Sequence, residues 1–237
     1  MSKVYVKQSN KENYSGNQKP KVFAIYKPKG PTSNQVLNKI RKFFGTKKVG
    51  HAGTLDPLAE GILVVGVGRE ATKQLKDIVS ENKEYLATIK FGEASSTDDA
   101  EGVKTKTVNP KKVPKDKILE TLKDFSGFIE QRPPIFSAIK TGGIEAYKLA
   151  RKGKEVYLKK RKVRIDFIRL VSYKWPYLKI AVGCGPGVYI RSLARDLGKK
   201  FGVGAYLFDL VRIRVGKFFI GEAIKLAEID KLIQTKS

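Results

Sequence analysis

Sulfur and imidazole are almost missing from these 237 residues: Cys184 is the only cysteine and His51 the only histidine. A disulfide framework and a zinc site of Cys and His ligands are therefore excluded, and the expectation is metal-free chemistry in the cytoplasm. Long apolar runs are missing too. No stretch approaches the roughly 20 apolar residues that cross a bilayer, and the opening residues MSKVYVKQSNKENYSG hold no apolar signal core, so no membrane partner is expected. Acid is the third shortage: 23 Asp and Glu stand against 48 Lys and Arg, a formal charge of +25. The preponderance of lysine over arginine is what compositional drift would leave. Drift does not produce so large an excess of base over acid, which costs self-repulsion unless a polyanion neutralises it. Nucleic acid is the partner this implies.

What is present suffices for a sizeable core, with 41% hydrophobic residues. Residues 1–20 are polar and read as a mobile basic tail, leaving 21–237 as one folded domain. Val22–Lys27 reads as a strand, Pro28-Lys29-Gly30-Pro31 as a turn, and Ser33 as the cap of a helix that Gly45 stops. Gly61–Gly68 is a buried strand, Glu70–Val79 a helix and Tyr85–Phe91 an alternating strand. The acidic stretch Gly92–Gly102 (GEASSTDDAEG) is turn-rich. Pro114–Phe125 is helical with Ile118, Leu119, Leu122 and Phe125 on one face, and Ala146–Arg151 is helical as well. Val163–Val171, Tyr177–Val182 and Ala205–Val215 are strands, Gly187–Phe201 a helix, and Glu222–Ile233 a closing helix. The order is α+β.

Between Lys148 and Arg164 lie nine basic residues against a single acid, Glu155. A run of charge is commonly a solvated face. Interleaved with Tyr147 and Tyr157 and beside Gln131-Arg132-Pro133-Pro134, it also suits a surface that contacts phosphates.

The densest feature is Lys48–Gly61 (KVGHAGTLDPLAEG), in which small turn-forming residues bracket one imidazole and one acid ahead of a buried strand. Such a loop can approach a ligand closely. Two readings of Asp56 stand on local grounds. It is an N-cap with Pro57 at the first helical position, or it is a catalytic carboxylate whose direction Pro57 fixes. His51 is likewise a turn residue or a functional one. Tyr85 alone is a strand aromatic, Arg191 a solvated helix residue and Leu210 core.

This stretch resembles the catalytic motif of the bacterial tRNA pseudouridine-55 synthases, the TruB family, and the resemblance holds in register from about residue 22 to 225. The matching segments are Tyr26-Lys27-Pro28-Lys29-Gly30 with Ser33; Val49–Gly61; Ala71-Thr72-Lys73; and Tyr85. They continue with Gln131-Arg132-Pro133-Pro134, Ser137-Ala138-Ile139-Lys140 with Tyr147, and Gly187–Leu193. Ala52 and Glu60 depart from the usual residues.

The resemblance implies a mixed, largely antiparallel central sheet flanked by helices. It also implies Asp56 as nucleophile, Tyr85 stacking on the target uracil, and Arg191 pairing with Asp56. His51 would fill the stack left by a flipped nucleotide. Lys27, Pro28, Tyr189 and Leu210 would belong to the substrate pocket, and the target would be the T-loop uridine at tRNA position 55. The chain would lack the family's additional carboxy-terminal RNA-binding domain, bind the tRNA T-arm as a monomer, and need neither guide RNA nor cofactor. The chemistry fits these residue types independently. Breaking the C1′–N1 bond, turning the uracil and rejoining through C5 involves no net redox change, so one ionised carboxylate serves as nucleophile. A base within folded RNA must be flipped out, and an aromatic contact offsets the unstacking. Two rival classes share these features: a non-catalytic RNA-binding protein that keeps the fold, and a guide-RNA enzyme acting on ribosomal RNA.

Overall fold

The computed structural model describes residues 21–229; the tail expected over residues 1–20 lies outside them. The chain opens with β1 (Lys21–Lys27), α1 (Ser33–Phe44), β2 (Val49–His51), β3 (Glu60–Val67), α2 (Arg69–Val79) and β4 (Lys83–Phe91). A small hairpin, β5 (Glu93–Ser95) with β6 (Lys104–Lys106), precedes α3 (Lys115–Asp124) and β7 (Gly127–Gln131). A second hairpin, β8 (Lys140–Thr141) with β9 (Ile144–Glu145), leads into α4 (Ala146–Arg151). The rest is β10 (Arg161–Lys174), β11 (Tyr177–Cys184), α5 (Ile190–Phe201), β12 (Ala205–Val215), β13 (Phe218–Phe219), a 3-10 turn (Ile220–Glu222) and β14 (Ile224–Lys225).

Ten of these strands form one sheet in the order β14-β1-β3-β12-β4-β11-β10-β7, with β13 on β12 and β2 on β3. Two pairings are parallel, β1 with β14 and β12 with β3, and the others are antiparallel. This is the α+β, largely antiparallel architecture expected. Along β4 the residues alternate strictly between buried and half-buried, because successive side chains point to opposite faces. Tyr85, Ala87, Ile89 and Phe91 thereby join Val182, Ile180 and Leu178 of β11 and Leu193, Ala194 and Leu197 of α5 in the main core.

Four details differ from the expectation. Thr32, not Ser33, caps α1: its side chain accepts from the backbone N–H of Gln35, which caps Thr32 in return. Ser33 is the first helical residue and is buried for another purpose, given below. Leu119 points outward, because Ile118, Thr121 and Leu122 already fill the inner face of α3. α5 starts at Ile190 rather than Gly187, whose φ of +81° is incompatible with a helix. The closing helix begins only at residue 226, after the 3-10 turn and β14, and its expected continuation to Ile233 runs outside the described residues.

Candidate active site

No helix follows Asp56. The N–H of Ala59 bonds to the Asp56 carbonyl at 3.1 Å, closing a single turn, and Glu60 already belongs to β3. The capping role is thus ruled out, and the carboxylate projects from a loop with its side chain 36% exposed.

Both neighbours of Asp56 are pinned by residues from the end of β1 to the start of α1. Ser33 Oγ donates to the Leu55 carbonyl (2.8 Å) and accepts from the Leu55 N–H (2.9 Å). The Pro57 carbonyl accepts from the Gly30 N–H (2.9 Å) and from Lys27 Nζ (3.4 Å). Gly30 makes its bond at φ +103°, a conformation open to glycine. Lys27 is wholly buried, and its ammonium also donates to the carbonyls of Pro28 and Pro31, both at 2.9 Å. Burial pushes its pKa down to about 8, against the pull of Asp56. Lys27 and half-buried Pro28 therefore fix the loop, and Lys27 offers no surface to a substrate.

From α5, Arg191 reaches Asp56 with Nε 3.0 Å from Oδ2. Its other nitrogens are occupied as well. Nη1 faces Asp99 Oδ2 and the Thr97 carbonyl, both at 3.4 Å, and Nη2 donates to the Phe136 carbonyl at 2.9 Å. The arginine is buried, not the solvated helix residue that local sequence suggests. Asp99, 2% exposed, is held in turn by the Thr97 hydroxyl and by the Glu101 N–H at 3.0 Å. For Asp56 burial is the largest influence and raises its pKa. Arg191 is the strongest opposing charge, Asp99 adds to the rise, and Lys27 and Arg212 oppose it.

Tyr85 of β4 is 7% exposed and sits opposite Arg212 of β12 in the sheet register. Burial raises the phenol's pKa, with Asp56 among the nearby charges. Leu210, 7% exposed, lies two residues before Arg212 on the same face of β12. Tyr189 has its backbone N–H and carbonyl bonded by the Gln131 side chain, at 2.8 and 3.1 Å. Its phenol, raised by burial, lies near Arg191, Ser137 and Asp56. His51, half-buried at the end of β2, has its pKa lowered by burial and by Arg212 and Arg41, which leaves a neutral imidazole at neutral pH. Its buried Nδ1 has no hydrogen-bond partner among the described residues.

Two participants escaped the reading of the sequence. Arg212, 1% exposed, donates to the carbonyls of Ile62 (2.7 Å), Gly53 (3.1 Å) and Thr54 (3.4 Å), and so ties the Asp56 loop to β12. The two-residue period from Leu210 along β12 is the signal that could have found it. Asp99 sits in a stretch whose sequence pattern is that of an acidic turn, and nothing local distinguishes it from Asp98. Cys184 plays no part: burial pushes its thiol up to about 12, leaving no nucleophilic thiolate at neutral pH.

A mixed sheet thus carries a loop carboxylate against a helical arginine. The structure of a Cbf5-Nop10-Gar1 complex contains a chain with this fold, at TM-score 0.71 and 31% identity over 91% of this chain and 55% of that one. The chain thus spans about half the length of that structural relative. A second match is the H/ACA RNP bound to a substrate RNA containing 2′-deoxyuridine, at TM-score 0.66 and 29% identity over 88% of this chain and 52% of that one. The family model described as TruB family pseudouridylate synthase (N terminal domain) matches residues 41–190. tRNA pseudouridine synthase B of Mycobacterium sp. (strain KMS) is 44% identical over 86% of this chain and 70% of its own length. The Parabacteroides distasonis protein of the same name is 42% identical over 88% of this chain and 91% of its own. This chain belongs to the TruB family of pseudouridylate synthases, and it is an isomerase.

Proposed function

We propose that the protein converts the T-loop uridine at position 55 of tRNA into pseudouridine, with Asp56 as nucleophile and the target nucleotide flipped out of the RNA. The observation that carries this reading is the single accessible carboxylate held by Arg191 on a loop clamped from three sides. Partial exposure lets it meet a substrate atom. The adjacent guanidinium favours its ionised form against the cost of burial.

Tyr85 and Leu210 form the floor on which a flipped uracil stacks, an aromatic face and an aliphatic one, and that contact offsets part of the unstacking cost. Tyr189, beside Arg191, borders the same space. A neutral His51 suits insertion between bases, because it carries no charge to desolvate. No step calls for a metal or an organic cofactor, since the carboxylate supplies the nucleophile and the product is an isomer of the substrate.

The tRNA substrate is supported by the names of relatives 40 to 44% identical. Identity to the chain of the Cbf5-Nop10-Gar1 complex is lower, at 31%, which favours the stand-alone enzyme over the guide-RNA type. The test is incubation with an unmodified tRNA transcript, without guide RNA, followed by mapping of pseudouridine. The expected product is pseudouridine at position 55 alone. Asp56→Asn should lower the rate at least about a thousandfold while still binding the transcript. An Asn variant that converts uridine normally would remove the nucleophile assignment, and product at another position would correct the target.

A further inference from the structure

Arg191 is one of two arginines that α5 presents on the same face, and the second, Arg195, lies one turn further along the helix. Arg195 touches neither Asp56 nor Asp99. Its Nη1 lies 2.7 Å from Asp98 Oδ2, its Nη2 donates to the Arg132 carbonyl at 2.7 Å, and its Nε bonds Asp196 at 2.9 Å. The Arg132 carbonyl also accepts from Ser192 Oγ at 2.9 Å.

Apart from Asp196, which lies on α5 itself, these tethers fall on two loops. One, between β5 and β6, contains Thr97, Asp98 and Asp99. The other, between β7 and β8, contains Arg132 and Phe136. Every partner of Arg191 apart from Asp56 comes from one of the two: the Thr97 carbonyl, the Asp99 carboxylate and the Phe136 carbonyl. Asp98 holds a left-handed backbone at φ +62°, which a residue with a side chain adopts at some cost, and its ion pair with Arg195 is 14 to 17% exposed. The cost is incurred where the chain must turn to deliver the next residue, Asp99, to Arg191.

We infer that Arg195 is a positioning residue for the isomerisation. Through Asp98 and the Arg132 carbonyl it holds the two loops whose groups aim the Arg191 guanidinium at Asp56. The inference rests on the proposed function, because the rate to be affected is that of pseudouridine formation. Its consequence is a coupling between two arginines that share no ligand.

The test uses the full chain and a tRNA transcript, with single-turnover rates measured at saturating enzyme. Transcript affinity and Tm are measured alongside. Arg195→Met should lower the single-turnover rate about tenfold or more, since small displacements of reacting groups are costly, with affinity changed less than twofold. Asp98→Gly keeps a residue at ease in the left-handed backbone and removes only the carboxylate, which guards against a variant that fails to fold. It should slow the reaction in the same direction, and the double variant should be no slower than Arg195→Met. A purely structural role would lower Tm and leave the rate of the folded protein unchanged. Rates within twofold of the parent in both variants would overturn the inference, as would a slow Arg195→Met beside a fully active Asp98→Gly. If the parent protein itself makes no pseudouridine, the proposed function fails first and this role falls with it. An active parent with unaffected variants sinks this role alone.

Discussion

Lys27 shows how a residue's neighbours change what it can do. The family resemblance assigns Lys27 to the substrate pocket, yet here its ammonium is held by the carbonyls of Pro28, Pro31 and Pro57. Lys27→Met should leave those acceptors unsatisfied and cost about 1–3 kcal/mol, read as a fall in the urea midpoint. The pH dependence has a definite sign. With a folded pKa of about 8 against an ordinary 10.5, the unfolded chain binds more protons between these values, so this group's contribution to stability rises with pH across that window. The urea midpoint of the parent, relative to that of Lys27→Met, should therefore climb between about pH 8 and pH 10. A flat difference would show that the ammonium titrates normally. Asp56 teaches a related lesson. Its local pattern, Asp-Pro after a short polar loop, is equally that of a helix cap, and only the strand starting at Glu60 excludes the cap.

At the level of elements, the loop bearing Asp56 is held because strands approach unusually closely. β3 and β12 meet in parallel with Gly61 opposite Arg212. A Cβ on Gly61 would sit 2.2 Å from the Arg212 carbonyl oxygen and 2.8 Å from its nitrogen, at a φ of +107°. Backbone atoms cannot yield as a side chain tip can. Gly61→Ala should therefore destabilise by about 3 kcal/mol or more, and it should release the carbonyls of Ile62, Gly53 and Thr54 from Arg212. Chemical denaturation measures the first effect, and loss of conversion in protein that still folds reports the second. Stability within about 0.5 kcal/mol of the parent would contradict the packing described. Strand and helix identities were legible from periodicity, since Tyr85–Phe91 alternates and α1 carries Val36, Leu37 and Ile40 inward. Cap identity was not: Thr32 and Ser33 are adjacent hydroxyl residues, and which of them caps depends on Leu55, 22 positions further along the chain from Ser33.

Across the whole molecule the charge excess takes a shape. All nine basic residues from Lys148 to Arg164 are exposed, while Val156 and Leu158 between them turn inward onto Ala146. The charge run is thus a solvated face, which leaves its cations open to phosphates. If about six of its cations meet phosphates, tRNA affinity should drop about a thousandfold between 50 and 200 mM salt. Replacing Lys159, Lys160 and Lys162 with Gln should flatten the log–log salt slope by about 2–3. Filter binding across a salt series measures both, and an unchanged slope would exclude this face from the interface.

The sequence by itself determined the α+β class, the polyanionic partner implied by its charge, and the family, because these reside in periodicity, composition and short motifs. Only the tertiary structure decided how Asp56 is held. The residues that hold it lie far from it along the chain: Arg191, Arg212, Asp99 and Ser33 arrive on four different segments. Their carbonyl and carboxylate partners are set by folding, and no local pattern encodes which arginine or aspartate will be buried. Asp98 and Asp99 make the point most sharply, as neighbours of one residue type that face different arginines.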